Sequence, residues 1–182
     1  MVKVKTLRFG EMEVKKTDII QLPKGLVGFP ELKKFVMLDH DDNSPFKWLQ
    51  SLDDGTLAFV LINPLLFRPD YLVEVNQPEV EDLNLTKEED AVISVIVTMP
   101  TNPQNMTANL KAPLVFNLKN RKGKQIILNS SDYGTRHSIV EEMKKYESQI
   151  EKESMTKAIE QVKKKKSPSK GQKDKVNIST SR

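Results

Sequence analysis

The sequence contains no cysteine. No disulfide can staple it, and no thiolate can act as nucleophile or metal ligand. It contains two histidines, His40 and His137, and neither sits in an H-x-x-x-H or H-x-C pattern, so a zinc site has no sequence support. A phosphate-binding P-loop, a G-x-G-x-x-G turn and a G-x-S-x-G elbow are all missing. No stretch approaches the roughly 20 consecutive apolar residues of a membrane-spanning helix. At the start, Met1-Val2-Lys3-Val4-Lys5-Thr6-Leu7 interleaves lysine with valine where a secretory signal would carry an apolar run. These absences set the expectation of a cytoplasmic protein that is not an enzyme, holds no cofactor and does not enter a membrane.

Charge is unevenly spread. Residues 1–139 carry 17 Lys+Arg against 18 Asp+Glu, whereas residues 140–182 carry 12 against 7. The net +4 of the chain therefore belongs to its end, and the first part is nearly neutral. A chain of 182 residues has room for one self-sufficient core plus an appendage.

The first 138 residues read as mainly β. Val2, Val4 and Thr6 alternate with Lys3, Lys5 and Leu7, and Met12, Val14 and Asp18–Leu22 predict further extended chain. Lys24–Pro30 is a loop with two glycines, Pro30–Lys34 has the makings of one helical turn, and Phe35–Leu38 is a short buried strand. Asp53-Asp54-Gly55 between Phe46–Ser51 and Thr56–Ile62 is a hairpin signal. Asn63-Pro64 and Arg68-Pro69 bracket a connection, since proline cannot donate to a central ladder. Leu83–Asp90 resembles a short acidic helix start, with Thr86 as N-cap and Glu89 three residues on. Ala91–Thr98 is a β-branched strand whose continuity predicts burial on both faces, and Thr107–Asn117 with Gln125–Leu128 forms a second hairpin turning at Asn120–Gly123. Short strands with turn signals at this spacing predict a small antiparallel β-barrel-like domain or a sandwich with a few short helices. After His137 the pattern changes. Ile139, Met143, Tyr146 and Ile150 recur at helical spacing, so a charged amphipathic helix is expected over 139–166 and a disordered basic tail over 167–182.

Few residues invite a chemical role. Asp39, Asp41 and Asp42 resemble half of a calcium loop without its glycine and distal glutamate, and a solvated turn explains them as well. Asp53 and Asp54 are explained by the hairpin turn. Trp48, the sole tryptophan, admits two readings: a core residue flanked by Phe46 and Leu49, or a partly exposed anchor for a partner. Lys163–Lys166 either solubilises a helix end or contacts an anionic polymer or lipid.

Several phrases stand in order along the chain. They are Gly25-Leu26-Val27-Gly28-Phe29 with Leu32 and Phe35; Pro45-Phe46 leading to Leu49-Gln50-Ser51; and Leu57-Ala58-Phe59-Val60 with Asn63-Pro64. Val97-Thr98, Thr107–Pro113 and Asn117 follow, and Gln125, Leu128, Tyr133 and Arg136-His137 complete the set. In this order and spacing they resemble the FliW family of flagellar assembly factors. The resemblance implies a barrel-like protein antagonist, a monomer, that binds cytoplasmic flagellin. When free, it binds the translational repressor CsrA away from its RNA-binding face and so relieves repression of flagellin translation. It implies no catalytic residue. Exposed positions close to the family phrases are the expected contacts: Trp48, Gln50 and Ser51 on one strand, and Asn109 and Lys111 on a strand edge near Pro113 that could pair with a partner strand. The 45 residues from Ser138 lie outside the resemblance.

Two rival classes stay open at this stage. An RNA-binding small barrel with a basic tail predicts salt-sensitive RNA binding that is lost with residues 138–182. A flavin-binding split barrel predicts a phosphate loop, which the sequence lacks.

Overall fold

A computed structural model describes residues 1–85 and 87–166. The chain divides into a unit spanning Met1–Tyr146 and a second unit beginning at Glu147.

The first unit is built on a closed barrel. Its strands are β3 (Ile19–Gln21), β4 (Lys34–Asp39), β5 (Phe46–Ser51), β6 (Ala58–Ile62), β7 (Ala91–Thr98), β9 (Leu114–Asn117) and β10 (Lys122–Gln125). They run in the order β7-β6-β5-β4-β3-β10-β9, and β9 pairs back onto β7. Neighbours are antiparallel except β3 and β10, which meet in parallel at Gln21 and Lys122. Closure removes the open sheet edge that an isolated ladder would expose. Two short strands, β8 (Thr107–Ala108) and β11 (His137–Ser138), extend the sheet from the end of β7. A separate ribbon of β1 (Val2–Thr6) and β2 (Gly10–Val14) precedes the barrel.

Alternation along the strands sorts side chains into two apolar clusters. Phe35, Leu49, Leu61, Leu114 and Phe116, all at most 1% exposed, pack with Ile20 and Leu22 in the lumen. Trp48, Val60, Val95, Val97 and Val115 face the other way and are covered by Phe67, Tyr71, Leu83, Leu110, Ile126 and Leu128 from the connections. The barrel is thus filled inside and partly wrapped outside. The wrap is pinned by side chains: Tyr71 Oη donates to Leu110 O (2.7 Å), and Asn117 Nδ2 donates to Leu83 O (3.0 Å).

The hairpin at Asp53-Asp54-Gly55 forms, with Phe46 opposite Ile62 and Gln50 opposite Ala58. The second hairpin forms between Leu114–Asn117 and Lys122–Gln125, with its turn at Leu118–Arg121, two residues earlier than expected, and Arg121 at φ +56°; the expected strand Gln125–Leu128 is corrected to one ending at Gln125, and Thr107–Asn117 is two strands split by a bend. Burial on both faces of β7 holds at Ser94 and Val95, while Val92 is 38% exposed. Pro30–Lys34 is not a helical turn. The backbone N–H groups of Lys33 and Lys34 donate to Asp53 Oδ2 (2.6 and 2.8 Å), and Lys33 O accepts from Leu22 N (2.8 Å), so those groups serve the neighbouring hairpin and strand. Thr86 lies outside the described residues; 3-10 turns occupy Glu81–Leu83 and Glu88–Asp90 on either side of it. A short helix α1 (Gln77–Val80) carries a capping box between Asn76 and Glu79.

Helix α2 runs Ile139–Lys166. In the first unit Ile139 is buried, and Glu142 is 6% exposed beneath an ion cluster. Arg68 Nη1 (3.2 Å), His137 Nδ1 (3.3 Å) and Lys145 Nζ (3.3 Å) converge on its carboxylate. Burial pushes the Glu142 carboxyl up, but the His137 hydrogen bond and the Arg68 and Lys145 charges outweigh it and hold the group below its usual range. In the second unit, Ile150 and Met155 are exposed on the helix. The expected tail, 167–182, lies outside the described residues.

Candidate functional site

Three of the five expected contact residues, Trp48, Gln50 and Ser51, sit together on β5; the structure corrects the expected exposure of Gln50 and Ser51 and agrees with the core reading of Trp48. Gln50 and Ser51 are both fully buried, and Trp48 is 7% exposed. Gln50 faces outward from the barrel. Its Nε2 donates to Ser51 O (2.9 Å) and Leu57 O (3.0 Å), with Gly55 O at 3.4 Å. Its Oε1 is buried with no partner among the described residues. Ser51 Oγ accepts the N–H groups of Asp53 (3.2 Å) and Asp54 (3.0 Å). Both side chains therefore shape the β5–β6 turn. Gln50 is covered because the β1–β2 ribbon crosses that turn: Leu7 N donates to Gly55 O (2.9 Å), and a Cβ on Gly55 would stand 2.0 Å from Lys5 O.

Asn109 and Lys111 are corrected in a different way. They lie in the bend between β8 and β9, not in a strand. Asn109 Oδ1 accepts from Ala112 N three residues on (3.1 Å) and so holds the bend. Lys111 Nζ donates to Ser130 O (2.7 Å), while its backbone pairs with Gly134 and Leu128. Both are half-buried and stitch two connections together, so they offer no open edge. The sheet does place this segment in line with Trp48, since Trp48, Val60, Val97 and Ala108 are successive partners across β5, β6, β7 and β8.

Trp48 is where the surface becomes distinctive. The ribbon tip folds over it: the Arg8 guanidinium carbon lies 3.7 Å from the ring centroid, and Phe9 meets the ring edge-on at 6.0 Å. His40 stacks on it at 6.0 Å with 15° between planes. His40 Nδ1 is 3.1 Å from Asp41 Oδ2, and Asp39 is paired with Lys47. The Asp41 carboxyl is lowered, first by the Asn43 backbone N–H and then by the His40 bond, so the acidic loop is an ordinary Asx turn.

Beside Trp48 a groove of 590 Å³ opens, lined by Ala58, Phe59 and Val60 of β6, Ile96–Thr98 of β7, Met99 just past its end, and Arg8 and His40. Its origin is in the register. The β6–β7 ladder begins at Val60 opposite Val97. Ala58 and Phe59 of β6 have no partner on β7, and Thr98 of β7 has none on β6, while β5 and β8 pair along the opposite edges of the two strands. Sequence reasoning singled out neither Arg8 nor Met99. The available signal was the apolar Leu7 and Phe9 around Arg8 in a turn that should be polar. Among the described residues no group of three or more His, Asp or Glu could hold a metal ion.

Comparison with known proteins gives one consistent result. A family model described as FliW protein matches residues 3–139. A flagellar assembly factor FliW from Alkaliphilus metalliredigens is 44% identical over 147 residues, covering 80% of this chain and 91% of that protein. One from Leptospira biflexa is 39% identical over 149 residues, covering 81% and 97%. A solved structure, described as a crystal structure of the flagellar assembly factor FliW, superposes with a TM-score of 0.71 at 38% identity, over 76% of this chain and 96% of that one.

Proposed function

The chain belongs to the FliW family of flagellar assembly factors, and on that premise we propose that it works by binding other proteins and not by catalysis. In this reading it holds flagellin in the cytoplasm. When flagellin is exported, the freed chain captures the translational repressor CsrA on a face away from the RNA, and translation of flagellin resumes. The observation that carries the reading is the family match over residues 3–139, which spans the entire barrel. The filled lumen agrees with it, because a barrel packed with Phe35, Leu49, Leu61 and Phe116 meets its partners from outside. The chain then acts as a monomer without a cofactor. No helix among the described residues is long and apolar enough to cross a membrane.

Such a switch is a set of competing equilibria. The chain relieves repression only if it binds RNA-free CsrA better than RNA-bound CsrA, and RNA must then weaken its binding by the same factor. The test is a calorimetric titration with CsrA, repeated with flagellin present. Flagellin is expected to weaken CsrA binding by about tenfold or more, a coupling of about 1.4 kcal/mol. Binding to neither protein at micromolar concentration refutes the proposal; CsrA binding that flagellin leaves unchanged refutes the exchange.

A further inference from the structure

We propose that the groove between β6 and β7 is a peptide site that takes an extended segment bearing a carboxylate beside apolar side chains. The inference rests on the reading of this chain as a protein-binding factor, and adds to it the surface and the chemistry of the ligand.

Most of the side chains in the walls are apolar, but polar atoms make up nearly half of the lining surface. Val60 and Val97 form the last rung of the ladder, and Met99 beyond them is 43% exposed. A volume of 590 Å³ lies within the range of about 300–1,000 Å³ that small-ligand sites occupy. The groove runs where Ala58 and Phe59 of β6 and Thr98 of β7 lie beyond the last rung the two strands share, a geometry suited to an extended chain.

The charge points to an acid. Arg8 is exposed, and among the described residues no carboxylate lies within ion-pair distance of it. Its guanidinium is held against Trp48, so the planar donor fork is set in place before a ligand arrives. In the turn beside His40, Asp41 is bonded to His40 and Asp39 is paired with Lys47. Arg8 is the one permanently charged side chain lining the groove. A polynucleotide needs a series of cations along its phosphates. One preorganised guanidinium set among mostly apolar side chains fits a single carboxylate with apolar neighbours.

Trp48 is the only tryptophan and lines the groove, so its fluorescence reports occupancy directly. The full chain is titrated with the peptide acetyl-Leu-Glu-Leu-Thr-Leu-amide and with its twin carrying Gln for Glu. The Glu peptide is expected to shift Trp48 emission and to bind about tenfold more tightly than the Gln twin, the gain of a charge-assisted bond. Arg8→Gln should bring the two peptides to equal affinity, and Arg8→Lys should restore part of the difference. Equal binding of both peptides to the unaltered chain, no change in emission, or a larger shift with a short single-stranded RNA each overturns the proposal; the first comparison needs no variant and so no assumption about folding. Calorimetry with flagellin and CsrA on the same samples separates the two readings. Peptide discrimination without binding to either protein supports the groove and removes the partner assignment. Protein binding that Arg8→Gln leaves intact, with no peptide discrimination, does the reverse.

Discussion

Replacing Gly55 with alanine tests how the ribbon is held over Trp48. Gly55 does not need glycine for its backbone angles, which lie outside the left-handed region; it needs glycine for space. A Cβ would stand 2.0 Å from Lys5 O and 3.1 Å from Lys5 C, both backbone atoms that cannot rotate away. In Gly55→Ala the ribbon must therefore lift. Lifting breaks the Leu7 N–H bond to Gly55 O, worth about 1 kcal/mol. It also separates Arg8 from the Trp48 face, about 0.5–1 kcal/mol, and Phe9 from its edge, about 0.5–1.5 kcal/mol. Together these give a destabilisation of about 2–3.5 kcal/mol. At about 2–4 °C per kcal/mol for a chain of this size, Tm should fall by roughly 4–14 °C. Trp48, 7% exposed in the intact protein, should become accessible to iodide, and its emission should move to the red. A variant that melts within about 1 °C of the parent, with unchanged emission, refutes the argument that the Gly55 contact seats the ribbon.

Further substitutions at four positions probe separate parts of the scaffold. Gly25→Ala and Gly28→Ala both place alanine at positive φ (+67° and +86°), but a Cβ at Gly25 meets Phe29 O at 2.6 Å and Pro30 O at 2.7 Å, whereas Gly28 has nothing within 4 Å. Thermal melts should show Gly28→Ala losing about 1 kcal/mol and Gly25→Ala at least about twice that. Gln50→Glu replaces a donor to the carbonyls of Ser51 and Leu57 with a buried charge and should cost about 3–5 kcal/mol in urea unfolding. Gln50→Leu, which also removes the unpartnered Oε1, should cost only about 1–2 kcal/mol. Glu142 titrates below its usual value in the folded chain, so its contribution is complete above about pH 4.5 and is lost as pH falls through the lower folded value. Glu142→Gln should lower stability at neutral pH by about 2 kcal/mol, less than a fully buried pair because Lys145 reaches solvent, and should flatten the acid limb of stability against pH.

Much of the barrel was legible because its signals are local. Asp53-Asp54-Gly55 between two apolar runs, the β-branched run of Ala91–Thr98, and helical spacing from Ile139 each specify an element within a dozen residues. Closure is not local. It depends on a single parallel rung between Gln21 and Lys122 and on β9 reaching β7, contacts that no alternation pattern encodes. Pro30–Lys34 failed for the same reason: its amide groups found a better acceptor in Asp53, twenty residues away, than in their own turn.

The exposure expected of Gln50 and Ser51 failed in an instructive direction. A polar residue in an alternating strand is assigned to solvent because period two distinguishes only one face from the other. Gln50 does point to the outer face, yet the outer face is not the surface wherever a distant segment lies over it. Here the segment is the ribbon, tied at Leu7 and Lys5 to Gly55. Lys111 shows the converse, a cation whose charged end is spent on the carbonyl of Ser130 and so is withheld from a partner. Residue type alone thus ranks Gln50 and Lys111 above Arg8, and contact geometry reverses the order. Among these residues Arg8 alone combines exposure, a fixed orientation on Trp48 and a charge with no acidic partner among the described residues. That combination, and not polarity or proximity to a family phrase, is what distinguishes a surface ready for a ligand from one that holds the fold together.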